Sequence, residues 1–262
     1  MTNLAYGDVG SGDPVLFVAG TGGAGRTWHI HQVPAFVAAG YRCITFDNRG
    51  IGATESADGF STDQMVADTA ELIESVAGGP ARVVAMSMGS FITQELMLAR
   101  PELVRQAVLM GTRGRISPVG KIFRDADLEL LDSTIDLPTA YGAKVRILEN
   151  FSPKTIHDEK AVTEWMEMFT AFPLKRTPGW RAQATVAPRE NRLTAYRSIT
   201  NQVLVIGFAD DIITPPALGR EVADAIPGAR YVQIANAGHL GFLERPDQVN
   251  SAVLQFFAGT LI

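Results

Sequence analysis

The sequence predicts an α/β protein in which a mostly parallel β-sheet is flanked by helices. Two observations predict this class. Short apolar runs of the kind that form buried strands recur along the chain, and segments with a helical spacing of apolar residues lie between several of them. The length of 262 residues, with 46% hydrophobic and 19% charged residues, is enough for a large domain with a sizeable core.

The order of the elements favours parallel pairing. Helix-like segments at 62–76 and 90–99 connect consecutive strands, and parallel neighbours need crossover connections of this kind. Thr62 can cap the first of these helices, and Pro101 closes the second. The predicted strands are, in order, 15–19, 42–46, 82–86, 106–110, 203–206 and 230–234.

One long segment breaks the alternation. From 113 to 200 the sequence shows no convincing strand, and stretches such as EKAVTEWMEMFTAF have helical character. We therefore predict an α/β core formed by residues 1–112 and 201–262, with residues 113–200 as a helical cap. The cap is inserted before the last two strands and lies over the strand ends as a lid.

Composition and charge argue against several function classes. The net charge of −5 disfavours nucleic acid or an anionic membrane as the partner. A single cysteine, Cys43, allows no internal disulfide framework and no multi-cysteine metal site. The first residues lack a secretion signal, and the longest apolar runs are too short to span a bilayer. We expect a soluble, cytoplasmic protein whose partner is a small-molecule substrate; the oligomeric state is left open.

Side chains with catalytic potential follow three of the predicted strands. Ser87 follows the third strand and His239 follows the sixth. The adjacent pair Asp210 and Asp211 comes shortly after the fifth strand. Ligands bind beyond the carboxyl ends of strands in open α/β sheets. Because a serine hydroxyl needs a base, and the base needs an orienting carboxylate, these residues predict a Ser–Asp–His triad in an order that occurs in one known fold class.

The stretch VVAMSMGS around Ser87 fits a sharp turn from a strand into a helix. A nucleophile on such a turn has a strained backbone, and the positions two before and two after it must be small. Ala85 and Gly89 meet that demand.

Two backbone N–H groups are predicted to hold an oxyanion. The helix after the turn starts at the serine, so the N–H of Met88 faces the site. The loop AGTGGAG at 19–25 supplies the second donor, since glycines let the backbone approach a substrate closely. We predict the N–H of Thr21 as this donor, with Gly22 as the alternative.

Five segments together resemble the α/β-hydrolase superfamily over nearly the whole chain. The resemblance implies an eight-stranded core sheet, a variable cap and a Ser–His–acid triad, mostly for hydrolysis of esters, thioesters, lactones or amides. The chain departs from the usual pattern at Ala19, where the family has histidine, and at Ala85, where it has glycine. The segments are VLFVAGTGGAG, FDNRGIGATES, VVAMSMGS, VLVIGFADDIITPP and NAGHLGFLERPDQVN.

The resemblance also bears on individual roles. It identifies His239 in GHLGFLERP as the base, and it marks FDNRGIGATES as a structural segment. The family pattern places the acid four residues before a proline, which favours Asp211, four before Pro215, over Asp210. Periodicity alone leaves the two aspartates open.

Apolar side chains near the strand ends and in the cap are candidates for an acyl pocket. We predict substrate contacts from Gly22, Trp28, Met110, Trp165 and Leu240. For the large side chains in this set, packing in the core is the alternative interpretation.

Two further motifs point to other functions. The glycine spacing at 20–25, with Asp47 after the next strand, matches a dinucleotide-binding fingerprint, but Pro34 interrupts the helix that should follow. His29 and His31 could form a metal pair, but the Asp-His that follows in metal-dependent lactonases is missing. We therefore predict neither a nicotinamide cofactor nor a metal.

The combined prediction is a serine hydrolase that cleaves an ester, thioester or lactone of a small or medium-sized, largely apolar substrate. It needs no metal or organic cofactor. The same residues could support cofactor-free perhydrolysis, as in haloperoxidases of this superfamily, or cleavage of a C–C bond. An alternative of another class is a non-catalytic protein that binds a small ligand on the same scaffold.

Overall fold

A seven-stranded sheet runs through the residues that this computed structural model describes, which are 4–54, 59–174, 177–186 and 190–261. The strand order is β1-β3-β2-β4-β5-β6-β7, and every neighbouring pair is parallel except β1 with β3. The strands are β1 (Tyr6–Gly10), β2 (Pro14–Val18), β3 (Arg42–Phe46), β4 (Ala81–Met86), β5 (Val104–Met110), β6 (Gln202–Phe208) and β7 (Arg230–Ile234). The predicted α/β class is confirmed, and the six predicted strands correspond to β2 to β7.

The count of seven corrects the eight strands expected from the family resemblance. The outermost strand, β1, pairs with β3, and no further described strand pairs with its other edge. Four of its five residues are exposed, and the Asp8 carboxylate forms an ion pair with Arg42 at 2.6 Å. The edge strand is short and carries glycines and an ion-paired charge, features that disfavour the recruitment of another strand.

Helices cover both faces of the sheet because the strands are apolar on both faces. In β2, Val15 and Phe17 pack into one core cluster with α1 and α12, whereas Leu16 and Val18 pack into a second cluster with α2, α3 and α10. The helices are α1 (Gln32–Ala38), α2 (Thr62–Leu72), α3 (Met88–Ala99), α4 (Pro118–Asp132), α5 (Thr139–Asn150), α6 (Pro153–Ile156), α7 (Glu159–Ala171), α8 (Pro178–Thr185), α9 (Leu193–Tyr196), α10 (Pro216–Ala225), α11 (Gly241–Glu244) and α12 (Pro246–Phe257).

Helix α2 begins at Thr62 as predicted, but its capping residue and its end differ from the prediction. The cap residue is Ser61 rather than Thr62, because the Ser61 hydroxyl accepts from the Gln64 N–H while the Gln64 side chain accepts from the Ser61 N–H. The α-helix ends at Leu72 and continues as one π-helical turn, Ile73–Ala77.

The described part of the segment between β5 and β6 contains the helices α4 to α9 and no strand. Within it, Phe151 and Phe169 stack with ring centroids 5.8 Å apart and form a separate apolar cluster with Ala143 and Ile147. We propose that residues 113–200 act as the cap, as the sequence predicts. None of the described helices has the length and apolarity that a membrane span requires.

Candidate active site

Ser87 lies at the junction between β4 and α3 in a strained backbone conformation. Its φ of 53° and ψ of −116° are values that a residue with a side chain rarely adopts. Two hydrogen bonds hold this strained conformation. The Ser87 N–H donates to the Met110 carbonyl at 2.9 Å, and the buried Ser90 hydroxyl donates to the same oxygen at 2.9 Å. Ser87 is partly exposed although its neighbours on both sides are buried. Its hydroxyl is therefore presented to the space above the sheet.

The turn requires glycine at position 89. A Cβ atom on Gly89 would lie 2.3 Å from the carbonyl oxygen of Val18 and 2.8 Å from that of Ala19, both backbone atoms. Ala85, also small, is fully buried and pairs with Val18 in the sheet. The start of α3 therefore packs directly on the end of β2, which is the close approach expected of a nucleophile-bearing turn.

Asp211 and His239 form a buried hydrogen-bonded pair. The His239 Nδ1 lies 2.8 Å from the Asp211 Oδ2, and the two side chains are 8% and 0% exposed. The neighbouring Asp210 uses its N–H to bind the carbonyl of Ala237, and no described contact joins its carboxylate to His239. Of the two aspartates that the sequence left open, Asp211 is the one beside the histidine.

The loop after β6 fixes the Asp211 carboxylate from three directions. Its Oδ1 accepts from the N–H groups of Ile213 at 2.9 Å and Thr214 at 2.8 Å. Its Oδ2 accepts from the Thr214 hydroxyl at 2.7 Å. With its oxygens committed in this way, the carboxylate has a set orientation towards the imidazole. Thr214 is a site residue that the sequence analysis missed, since only the loop geometry reveals it.

Gly111 brings the histidine close to the serine turn. It follows β5 directly and has a positive φ of 52°. A Cβ atom there would lie 2.7 Å from the Met86 Cε and 3.3 Å from the His239 Cε1. The preceding residue, Met110, accepts the Ser87 N–H. Ser87 and His239 thus both lie near the end of β5. Within the described part of the chain no hydrogen bond joins their side chains. Such bonds often tighten only when substrate binds.

The glycine-rich loop lies directly against Ser87. A Cβ atom on Gly20 would lie 3.1 Å from the Ser87 Cβ. The N–H of Gly22, the alternative oxyanion donor, donates instead to the Gln183 Oε1 at 2.8 Å. For the N–H of Thr21 the described residues provide no acceptor, and no side chain caps α3, whose first residue is Met88. The two N–H groups predicted to hold the oxyanion are thus both free to do so.

Helix α8 packs on this loop through contacts that the sequence did not predict. The Gln183 Nε2 donates to the Arg49 carbonyl at 2.9 Å, so one buried side chain links two core loops. A Cβ atom on Gly179 would lie 2.1 Å from the Gly50 carbonyl oxygen, which shows how closely the helix approaches. These partners are more than 100 residues apart in the chain, and no local pattern signals them.

The loop that carries His239 is also tied to the cap. The Glu244 carboxylate accepts from the Gly238 N–H at 2.5 Å on one oxygen and from the Ser152 N–H at 2.9 Å on the other. The Leu240 N–H donates to the Asn150 carbonyl at 3.0 Å. The histidine loop is therefore held from both sides, by α11 and by the segment between α5 and α6.

The residues predicted to contact substrate occupy different surroundings. Trp28 is 1% exposed and packs against other aromatic rings, and Met110 is fully buried in the same core cluster. Trp165 and Leu240 are partly buried and contact both this core cluster and the apolar cluster of the cap. The backbone of Gly22 lies against Trp180 and Leu174. Substrate contact stays a prediction for all five.

Asp47 and His29, from the motifs that resemble a dinucleotide site and a metal pair, make contacts within the protein. The Asp47 carboxylate accepts from the N–H groups of Gly25 at 2.8 Å and Ala53 at 3.0 Å, so it braces the turns rather than facing a ligand. The His29 Nε2 lies 3.1 Å from the Thr45 hydroxyl. Among the described residues no group of three or more His, Cys, Asp or Glu side chains could hold a metal. Residues 55–56, the end of FDNRGIGATES, lie outside the described residues.

Two cavities flank this region. One, of about 400 Å³, is lined by the loop of Asp210 and Asp211 together with cap residues such as Phe151. The other, of about 440 Å³, lies beside Arg124 and Thr185. Neither of these two cavities is lined by Ser87 or His239.

Comparisons with known proteins agree with this fold. The model of the alpha/beta hydrolase family matches residues 15–252. A protein of Mycobacterium tuberculosis provisionally named non-heme bromoperoxidase BpoC is 64% identical, with 98% of each chain covered, and its crystal structure superposes with a TM-score of 0.96 over 98% of this chain and 96% of that one. The provisionally named carbamate hydrolase RutD of Azorhizobium caulinodans is 29% identical over 97% of this chain and 94% of its own. The rhodomycin D methylesterase DnrP of Streptomyces peucetius is 27% identical over 86% of this chain and 84% of its own.

Proposed function

The chain belongs to the alpha/beta hydrolase family, and from this premise we propose that it is a serine hydrolase that cleaves an ester, thioester or lactone of a small or medium-sized, largely apolar substrate. One observation carries the proposal. A buried His239–Asp211 pair, with Nδ1 and Oδ2 2.8 Å apart, lies beside a partly exposed serine on a strained turn. A serine placed in this way beside an oriented imidazole is suited to nucleophilic catalysis.

In the proposed reaction His239 takes the Ser87 proton as the hydroxyl attacks the substrate carbonyl. The Asp211 carboxylate holds Nδ1–H, so that Nε2 is free to accept the proton, and it stabilises the imidazolium that results. His239 then protonates the leaving alcohol or thiol. A water molecule, activated by the same imidazole, attacks the acyl-serine and releases the acid.

The N–H groups of Met88 and Thr21 are the proposed oxyanion donors. Met88 is the first residue of α3 and follows Ser87 directly, and Thr21 follows Gly20, which packs on the serine. The engagement of the Gly22 N–H by Gln183 supports Thr21 as the donor from the glycine-rich loop. Preorganised donors of this kind stabilise the charge that develops in the tetrahedral intermediate.

Labelling and turnover test the proposal together. We expect a fluorophosphonate to label the wild-type protein at Ser87, and a panel of aryl esters, thioesters and lactones to contain at least one substrate. Ser87→Ala should lose labelling and turnover, while Ser198→Ala, which removes an exposed hydroxyl, should keep both. If wild-type protein and Ser87→Ala behave alike towards the label and the whole panel, the protein is not a serine hydrolase and a ligand-binding role is favoured.

A second activity, perhydrolysis, is favoured by the 64% identity to BpoC. In this reaction a carboxylic acid acylates Ser87 with loss of water, and hydrogen peroxide then attacks the acyl-serine to give a peracid, which oxidises bromide. The test is bromination of monochlorodimedone in acetate with peroxide and bromide. Activity that disappears in Ser87→Ala supports perhydrolysis, and bromination that is equal in both proteins contradicts it.

A further inference from the structure

Arg113 lies close to the candidate active site and has no partner in the part of the chain that the structure describes. It follows β5 by three residues and is partly buried. Its guanidinium lies against the first turn of α4, where a Cβ atom on Gly120 would be 3.4 Å from Nη1. Among the described residues no carboxylate or carbonyl oxygen accepts a hydrogen bond from it, and no aromatic ring stacks on it.

The other buried or partly buried arginines in the described part of the chain all have such partners. Arg115, two residues further on, forms two hydrogen bonds with the Glu221 carboxylate at 2.8 and 2.6 Å. Arg192 does the same with Glu95. Arg146 has no carboxylate partner, but its guanidinium lies 3.8 Å from the ring centre of Phe169. The isolation of Arg113 is therefore specific to that position.

The surroundings of Arg113 do not compensate its charge. Burial lowers its pKa, Arg124 lowers it further, and Asp211 alone raises it. Asp211 is close enough to act on Arg113, yet its oxygens are occupied by His239 and by the loop at 213–214. The first turn of a helix, here that of α4, also disfavours a cation. A desolvated charge left in this condition is costly, unless an anion from outside the chain completes the site.

We propose that Arg113 binds a carboxylate carried by the substrate. This inference rests on the proposed function and narrows it: the substrates are esters, thioesters or lactones whose largely apolar body ends in a carboxylate, such as half-esters of dicarboxylic acids. A guanidinium presents paired N–H donors that match a carboxylate. A single anionic charge suits a site where Arg113 is the cation without a partner among the described residues and the Asp211 carboxylate is nearby, since Asp211 would repel a dianionic phosphate more strongly than a carboxylate.

Paired substrates test this inference by a ratio of rates. In the first pair, mono-(4-nitrophenyl) glutarate is compared with its methyl ester, which places the carboxylate on the acyl side of the scissile bond. In the second pair, the butyrate ester of 3-hydroxybenzoate is compared with the butyrate ester of methyl 3-hydroxybenzoate, which places the carboxylate on the leaving-group side. We expect the wild-type protein to favour one carboxylate substrate over its neutral partner by about tenfold or more in kcat/KM, the size of a charge-assisted hydrogen bond.

Arg113→Gln should reduce this preference by about tenfold, mainly through KM, and Arg113→Lys should retain part of it. Arg197→Gln, which removes one exposed arginine, is the matched control and should leave the ratio unchanged. The inference is overturned if the ratio does not change in Arg113→Gln. It is also overturned if Arg113→Gln lowers kcat/KM equally for both members of each pair and shifts the pH dependence of kcat/KM. Arg113 would then act through Asp211 rather than by binding the substrate.

A binding measurement keeps the test independent of turnover. In Ser87→Ala we expect monomethyl glutarate, which carries a single carboxylate, to raise Tm and inorganic phosphate at equal concentration to do so less. The additional change Arg113→Gln should abolish the monomethyl glutarate shift and should raise Tm without ligand, since it removes an unpaired charge. If no ester is cleaved but this pattern holds, the hydrolase proposal fails and the carboxylate site stands. If monomethyl glutarate binds equally with and without Arg113, or no better than phosphate, the carboxylate site fails.

Discussion

At the scale of single residues, the Asp211–His239 hydrogen bond of 2.8 Å determines what His239 can do. A carboxylate at this position accepts the Nδ1–H and leaves Nε2 unprotonated, which is the form of the imidazole that can act as a base. Asp210 is adjacent in sequence but does not contact the imidazole, so the pair offers a matched comparison.

We expect Asp211→Asn to reduce kcat by roughly 10³- to 10⁴-fold, because the amide can donate to Nδ1 and so impose the wrong tautomer. Asp210→Asn, which makes the same change one residue away, should retain most of the activity. The measurement is kcat on the best ester of the panel, with Tm recorded to show that both variants fold. Equal losses in the two variants would contradict the assignment of Asp211 as the orienting acid.

Cys43 is a second residue whose chemistry follows from its surroundings. It is 1% exposed, and burial, with a smaller effect of Asp8, raises the pKa of its thiol to about 12. At pH 8 the thiol of the folded protein is therefore protonated and inert. The unfolded chain loses its thiol proton at roughly pH 8.5. The stability that this shift contributes is therefore present below that pH and is lost as the pH rises towards the folded value.

Iodoacetamide at pH 8 should accordingly leave native protein unmodified and fully active, and should alkylate Cys43 once urea unfolds the chain. Mass spectrometry of the intact protein measures the modification. Rapid alkylation of native protein would show that the thiol is neither buried nor protonated as described.

At this scale the sequence predicts the proposed catalytic residues but not the residues that support them. Ser87, Asp211 and His239 could be predicted because each follows a strand and lies in a recognisable segment. Thr214 could not, because its role depends on how the loop after β6 folds back on Asp211. A hydroxyl three residues from an aspartate has many possible partners, and the sequence does not choose among them.

At the scale of secondary structure, the sequence predicts the buried strands but not the exposed edge strand. Strands β2 to β7 were predicted because they are apolar runs, whereas β1 reads YGDVG and is mostly exposed. It is held by backbone pairing with β3, a contact without an apolar signature. Helix α8 shows the same limit, since its position depends on the Gly50–Gly179 contact and on Gln183.

Helix α8 should control the geometry of the oxyanion loop through Gln183. Gln183→Met keeps the volume but removes the acceptor of the Gly22 N–H, which costs about 1–3 kcal/mol, and also removes the hydrogen bond that Gln183 donates to the Arg49 carbonyl. We expect a lower Tm and a fall in kcat of about tenfold, because Thr21 lies next to the released Gly22 and loses its fixed position. The measurements are thermal unfolding and kcat on the same ester.

Thr185→Ala is the control on the same helix, since among the described residues its hydroxyl bonds only to the Ala182 carbonyl within α8. It should reduce stability slightly and leave kcat unchanged. If Gln183→Met lowers Tm without changing kcat, the residue is only structural and the proposed coupling to the oxyanion loop is wrong.

At the scale of the whole molecule, the cap and the core are joined where the reaction is proposed to occur. Helix α8 holds the glycine-rich loop, and the segment at 150–152 holds the histidine loop. Arg113, at the point where the chain leaves the core, lies against α4 of the cap. The glycine-rich loop and the histidine loop are thus each held by a contact across the boundary, which predicts that cap and core unfold together rather than as separate units.

Glu244 tests this coupling because one carboxylate bridges the two parts. In Glu244→Gln one of the two oxygens becomes an amide that faces an N–H donor, either that of Gly238 or that of Ser152. We expect a loss of about 2 kcal/mol, or roughly 4–8 °C in Tm, in a single transition. Activity should fall in the same variant because the His239 loop is released. Glu167→Gln, which removes an exposed cap carboxylate, is the matched control and should change neither quantity. Two separate unfolding transitions, or a loss of stability with unchanged activity, would show that the cap does not hold the histidine loop in place.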